Sequence, residues 1–384
     1  MNAREKFLAC MAFEPGAPIL KWEYGYWAGT VRRWYQEGLP LEVGIPDSFE
    51  GGMSVRAEKM GYKEGGVVDK DINKTFGLDQ PQLRLPVNNF IYPFFEKKIL
   101  EDNKEWTIYR DGWGITRHEM KDHSSPEKIV SGPVKTMDDW EKLKERLQPG
   151  TEGRLPENWK ELCKSYKDEG YLLVLGGGQG FFSSARYLFG DVDVLYAFHD
   201  NPKLIQNINS YLCDFWIALY ERVIQDIQPD AGFIWEDMCY KTGPLISPKM
   251  FEEYMLPFYK KLCGFFRDHG IKNIQVDTDG NAWRLIPLFL EGGVTCLFPM
   301  EVAAGMDVAK LREAFPTLQM IGGVDKKELM KDKKAIDRYL EEKIFPTMKK
   351  GGYIPMVDHL VPPDVSWENF SYYRNRLNEE IDRG

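Results

Sequence analysis

Residues 274–281 read IQVDTDGN, an apolar run that ends on two aspartates, Asp277 and Asp279, just before Gly280 and Asn281. The run is short and bounded by a turn, as buried strands of a parallel sheet are. A helix-spaced segment, NAWRLIPLFLEGG (281–293), follows it and stops on Gly292 and Gly293. Alternation along a strand sets residues two apart on one face, so both carboxylates are expected on the same side. Like charges that close need a cation, a proton or a substrate to relieve them. One aspartate would suffice to cap the next helix. The pair argues for function.

The same unit recurs on both sides. Runs at YLLVLGGG (171–178), AGFIWEDM (231–238), VTCLFPME (294–301), LQMIGGVD (318–325) and YIPMVDHL (353–360) keep a regular beat with amphipathic helices. In SPKMFEEYMLPFYKKLCGFFRDHG (247–270), Ser247 is placed as N-cap, Pro248 at the first helical position, Pro257 as a kink and Gly270 as a stop. DVAKLREAFP (307–316) begins at Asp307 and is ended by Pro316, and LPENWKELCKSYKDEG (155–170) is a further helix. APILKWEYG (17–25) makes a first strand. This alternation predicts an α/β fold with a parallel sheet, a TIM (β/α)8 barrel in a single domain over 1–384. The section 40–150 breaks the rhythm. FFEKKILEDNKEWTIYRDGWGITRHEM (94–120) has the marks of antiparallel strands turning at Asp102-Asn103 and Asp111-Gly112, an N-terminal β insertion on the barrel.

Bulk properties bound the function. A net charge of −9 gives no footprint for nucleic acid or an anionic membrane. No apolar stretch approaches the ~20 residues of a membrane helix. The six cysteines are scattered without a CxxC pair, and the charged start MNAREKFLACMAFEP is unlike a secretory signal, so a reduced, cytoplasmic protein is expected. Trp, Tyr and Phe are abundant, which suits either core or a broad apolar pocket.

In a parallel barrel the site lies at the carboxyl ends of the strands. Those ends carry Glu23, then Glu236 with Asp237, Asp277 with Asp279, Glu301, Asp325, and Asp358 with His359. Any one acid is well explained as a helix cap; the set implies a polar site. His118, His123, His199 and His269 fall in helices or polar turns and are expected on the surface. GGGQGFFSSARYLFG (176–190) lacks the GxxxxGK[ST] pattern of a phosphate loop, so its glycines are assigned to tight turns or close backbone approach. Arg186 could meet a carboxylate or lie on the surface.

The segments GGGQGFFSSARYLFGD, DTDGN, EVAAGMD, GGVDKKEL and GGYIPMVDHLVPPDVSWENF together resemble the uroporphyrinogen decarboxylase superfamily, over roughly residues 170–375 and more weakly before that. The resemblance implies a TIM barrel. It also implies one of two chemistries: porphyrinogen decarboxylation, or methyl transfer between a small molecule and a corrinoid protein. The decarboxylase carries an RQAGR segment after its first strand, where this chain has KWEYGYWAG (21–29) and no arginine until Arg32-Arg33. The methyltransferases are similar in layout and hold zinc through a His-x-Cys pair, aligned with Asp277 and Asp279, and a Cys aligned near Asp358–His359. No Cys stands at these positions here.

The expectation is therefore a corrinoid-dependent methyltransferase acting on a small methylated, methoxy-aromatic type of substrate, with the corrinoid carried by a partner protein. Zinc ligands are expected among Asp277, Asp279, Glu301 and His359. Asp279, Glu236 and Asp237 are assigned catalytic roles, while Trp22, Glu23, Trp27, Trp235 and Asp325 are assigned to substrate. Partners otherwise exclude nucleic acid and membrane and leave a homodimer open. The alternatives are uroporphyrinogen decarboxylase activity and a non-catalytic corrinoid- or ligand-binding barrel.

Overall fold

Fifteen strands form along the chain in this computed structural model, which describes residues 1–49, 52–56, 69–122 and 127–384. They are β1 (Gly25–Trp27), β2 (Ser54–Arg56), β3 (Gln82–Arg84), β4 (Lys98–Asp102), β5 (Trp106–Arg110), β6 (Thr116–Met120) and β7 (Lys128–Ser131). There follow β8 (Leu172–Gly176), β9 (Ala231–Trp235), β10 (Cys239–Tyr240), β11 (Gly243–Pro244), β12 (Asn273–Asp277), β13 (Cys296–Phe298), β14 (Gln319–Val324) and β15 (Tyr353–Val357). Seven of them make one curled parallel sheet in the order β15-β14-β13-β12-β9-β8-β3. Each of the six apolar runs read from the sequence supplies one of its strands.

Alternation along these strands separates two cores. Leu173, Leu175, Ile234, Ile274, Val276, Leu297 and Val324 face outward into the layer shared with the helices. Leu172, Val174, Phe233, Phe298, Ile321 and Met356 face inward and pack with Leu20, Trp22 and Tyr24. The N-terminal helix (Ala3–Met11) joins this inner cluster, with Phe7 stacked on Trp22 at 5.9 Å. Arg4 pairs with Asp230, just before β9, at 2.7 Å, and the Gln319 amide donates to the Met11 carbonyl at 2.7 Å. The helix thus stoppers the amino ends of the strands.

The stave that completes the barrel is irregular. Trp27 N–H donates to Val361 O and Val361 N–H to Gly25 O on one side, while Asp79 N–H donates to Lys21 O on the other. The expected first strand over 17–25 is therefore shifted: only Gly25–Trp27 is strand, and its ladder is antiparallel to β2. Pro81, which has no N–H, stands where a ladder to β3 would start.

The antiparallel section forms a separate sheet in the order β4-β5-β6-β7. Its turns are those expected: the Asn103 carboxamide oxygen accepts from Glu105 and Trp106 N–H, and Asp111 from Trp113 and Ile115 N–H. The segment 40–150 is not all insertion, however, because β3 within it is a barrel strand. His118 lies on β6 rather than in a helix or turn, and His123 lies outside the described residues. Helix punctuation follows the sequence closely. Ser247 accepts from Met250 N–H, and the helix breaks at Met255, two residues before Pro257.

Candidate active site

β12 ends at Asp277, and the chain then turns through Thr278, Asp279 and Gly280. Strand alternation stops there, which is why the two aspartates part company. Asp277 is buried at 8% exposure, whereas the Asp279 side chain is 42% exposed. Asp279 Oδ2 lies 3.9 Å from His359 Nε2, which arrives from the end of β15. Glu301 accepts from Gly280 N–H at 2.8 Å and so holds the turn that presents Asp279. Gly280 has φ +79°, and a Cβ there would meet Cys239 O at 2.5 Å, so the turn requires glycine.

His359 stands against a floor of aromatic rings. Its imidazole is 4.7 Å from the Tyr24 ring, Tyr24 is 5.4 Å from Phe298, and Phe298 is 6.5 Å from Phe233. Trp27 and Trp235, both expected near substrate, are half-buried against the same inner cluster. Trp235 stacks on Tyr187 at 5.7 Å, and Trp113 from the inserted sheet packs on Tyr187 at 5.5 Å. Opposite His359 in the relay, the Arg84 guanidinium sits 4.2 Å over the Phe233 ring. Sequence reasoning missed Arg84, Tyr24 and Phe298. The available signal was parity: Gln82 and Arg84 are polar where Leu83 and Leu85 are apolar, so the charge belongs to the inner face.

The same parity corrects several assignments. Trp235 faces inward, so Glu236 faces outward. It is fully buried and accepts from Phe181, Phe182 and Ser183 N–H at 2.8, 2.7 and 3.1 Å and from the Tyr259 hydroxyl at 2.5 Å. Burial pushes its carboxyl up to about 7, against the pull of those donors. Glu236 therefore caps the Phe181–Phe189 helix and does not open on the mouth. Gly180 makes room for it, since a Cβ there would lie 2.4 Å from the Glu236 carboxyl carbon. Glu23, between inward Trp22 and Tyr24, is likewise turned away from the mouth. It is buried and bonded to Val357 N–H, the Tyr373 hydroxyl and Arg374 of the C-terminal helix (Trp367–Arg383). Trp22 lies low in the barrel, donating to Gln80 O.

Of the remaining acids, Asp237 pairs with Arg186 at 2.5 Å and has φ +45°, and Arg186 also holds Asp191. Asp325 accepts from Lys327 N–H, the capping role that strand-end aspartates favour. Asp358 is fully buried, accepts from Val302 N–H at 3.0 Å and lies 3.3 Å from Lys326 Nζ; burial pushes its carboxyl up to about 6.

Of the four expected zinc donors, His359 and Asp279 meet, Glu301 is engaged with the Gly280 amide, and Asp277, in register with inward-facing Trp235, is buried at the end of its strand. All six cysteines are buried, and burial pushes their thiols up. Among the described residues no three His, Cys, Asp or Glu side chains are arranged to hold a metal ion. Two converging donors fall short of the three or four protein ligands zinc takes. Among the described residues, too, no helix is long and apolar enough to cross a membrane.

A sequence profile described as Uroporphyrinogen decarboxylase (URO-D) matches residues 116–379. No curated protein matches the chain by sequence. Among solved structures, a methyltransferase from Methanosarcina mazei is similar at 14% identity over 98% of this chain and 99% of that one, with a TM-score of 0.53. At that identity the likeness concerns the fold.

Proposed function

We propose that this chain, which belongs to the uroporphyrinogen decarboxylase family, is a methyltransferase that takes a methyl group from a small methylated aromatic at the barrel mouth and passes it to a corrinoid carried by a separate protein. The observation that carries this reading is the His359–Asp279 pair standing over an aromatic floor at the carboxyl end of the barrel. Such a floor suits a flat apolar ring. A proton at His359 Nε2 suits the oxygen that loses its methyl group, because a departing alkoxide or phenolate is stabilised by a positioned acid. Asp279 faces the imidazole at 3.9 Å, and Glu301 keeps Asp279 in place through the Gly280 amide. The corrinoid, when presented by its partner, supplies the nucleophile that takes the methyl group. The similarity in fold to a methyltransferase accords with this assignment.

Decarboxylation of a porphyrinogen suits the mouth less. A substrate with eight carboxylates needs many cations, yet Arg117 is committed to Asp111 and Glu127 and Arg186 to Asp191 and Asp237, and a single Arg84 cannot answer eight carboxylates. The test is methyl transfer from methoxy-aromatics to reduced corrinoid, followed by the change in cobalt absorbance. His359→Gln is expected to lower the rate ~100-fold or more with the melting curve unchanged. Undiminished transfer by His359→Gln, or conversion of uroporphyrinogen without corrinoid, would overturn the proposal.

A further inference from the structure

Arg84 differs from the other arginines packed into this barrel. Arg374 is matched by Glu23, and Arg154 and Arg312 are wrapped in backbone carbonyls. Arg84 has neither: among the described residues no carboxylate pairs with it and no acceptor bonds it, and its contact is the face of Phe233. A half-buried guanidinium without an acceptor is costly unless something else supplies one.

The surroundings are built around it. Gly177 has φ +88°, and a Cβ there would lie 2.9 Å from Arg84 Cδ and Nε, so the glycine loop yields its space to the guanidinium. Gln82, on the same strand face, and Gln179, two residues past Gly177, are buried with their carboxamide oxygens unpartnered. An amide turned about its last bond offers N–H groups to an anion. A phosphate would be expected at the helix start beside this loop, but those amides already hold the Glu236 carboxylate. That leaves a planar oxyanion meeting the guanidinium fork.

We infer that Arg84 anchors the carboxylate of a small aromatic acid, whose ring lies on Phe233, Phe298 and Tyr24 and whose far end is presented to His359. The relay of ring contacts runs from Arg84 to His359 without a charged side chain in it. The inference deepens the methyl-transfer reading, which it uses only to say that the reacting ether oxygen is the end remote from the carboxylate.

The experiment is calorimetric titration of the full-length protein with benzoate, with benzamide as its uncharged counterpart, and with inorganic phosphate. Benzoate is expected to bind the native protein and to weaken roughly 10–100-fold in Arg84→Gln, the range for a charge-assisted pair. Benzamide should bind both proteins alike, which also certifies that the variant is folded. Arg84→Lys should fall between, keeping the charge and losing the fork. Equal benzoate affinity in native protein and Arg84→Gln, no benzoate binding at all, or displacement of benzoate by phosphate would each overturn the assignment. Arg84-dependent benzoate binding without methyl transfer from 4-methoxybenzoate would instead sink the methyltransferase reading and leave the anchor standing.

Discussion

Glu236→Gln separates a structural carboxylate from a catalytic one. Each of its oxygens receives two donors: Phe181 N–H and the Tyr259 hydroxyl on one, Phe182 and Ser183 N–H on the other. Glutamine keeps one oxygen and turns an NH2 group toward the other two donors. With the NH2 on the side of Phe181 and Tyr259, the Tyr259 hydroxyl turns to accept from it, and Phe181 N–H loses its hydrogen bond and is left facing a donor. At about 1–3 kcal/mol for one unsatisfied buried group, with lost interaction at the helix N-terminus added, the expected cost is about 2–4 kcal/mol. The measurement is urea unfolding at pH 5, below the raised pKa, with a second set at pH 8, where the folded pKa near 7 makes the native advantage over Glu236→Gln smaller. Glu236 does not reach the mouth, so the fraction that remains folded should keep its methyl-transfer rate. A stability change under ~0.5 kcal/mol, the range of ordinary surface substitutions, combined with loss of activity would refute the capping role and restore Glu236 to the chemistry.

Three further outcomes are expected. Asp279→Asn should leave stability within ~0.5 kcal/mol, its side chain being 42% exposed, and lower turnover ~100-fold; retained activity with a lower melting temperature would favour a capping role for Asp279. Asp358 has a folded pKa near 6, above its ordinary 3.8, so it binds protons more tightly folded than unfolded and its contribution to stability falls as pH rises from about 4 to about 6, by up to about 3 kcal/mol. The difference between native protein and Asp358→Asn, followed by denaturation from pH 3.5 to 7, should show that decline, and a flat difference would count against it. Arg374→Met should cost about 3–5 kcal/mol by leaving Glu23 charged and buried without its partner; a neutral result in urea unfolding would deny the pair any part in closing the barrel.

The barrel strands were legible because each is a short apolar run closed by a turn, and helix caps such as Ser247 and Asp307 hold the positions their side chains imply. The acids at strand ends were legible as a set but not one by one. A carboxylate just past a strand can enter the mouth, as Asp279 does, or turn back onto a neighbouring helix, as Glu236 does. The choice lies in the parity of a few residues and in a distant glycine, Gly180, that no local pattern connects to it. β3 stayed hidden for a related reason. Three residues flanked by Pro81 and Pro86 carry too little periodicity to announce a strand, and Arg84 went unseen with them.

The attachment of Glu23 to Arg374 joins groups 351 residues apart in sequence. The ribosome makes the stave bearing Glu23 well before the helix Trp367–Arg383 that brings its counter-charge. Until then a carboxylate destined for the interior has no cation, and the nascent barrel stays open along that seam. Completion of the ring therefore waits on Arg374, and chains truncated before Arg374 should accumulate as protease-sensitive species even though all seven sheet strands precede it.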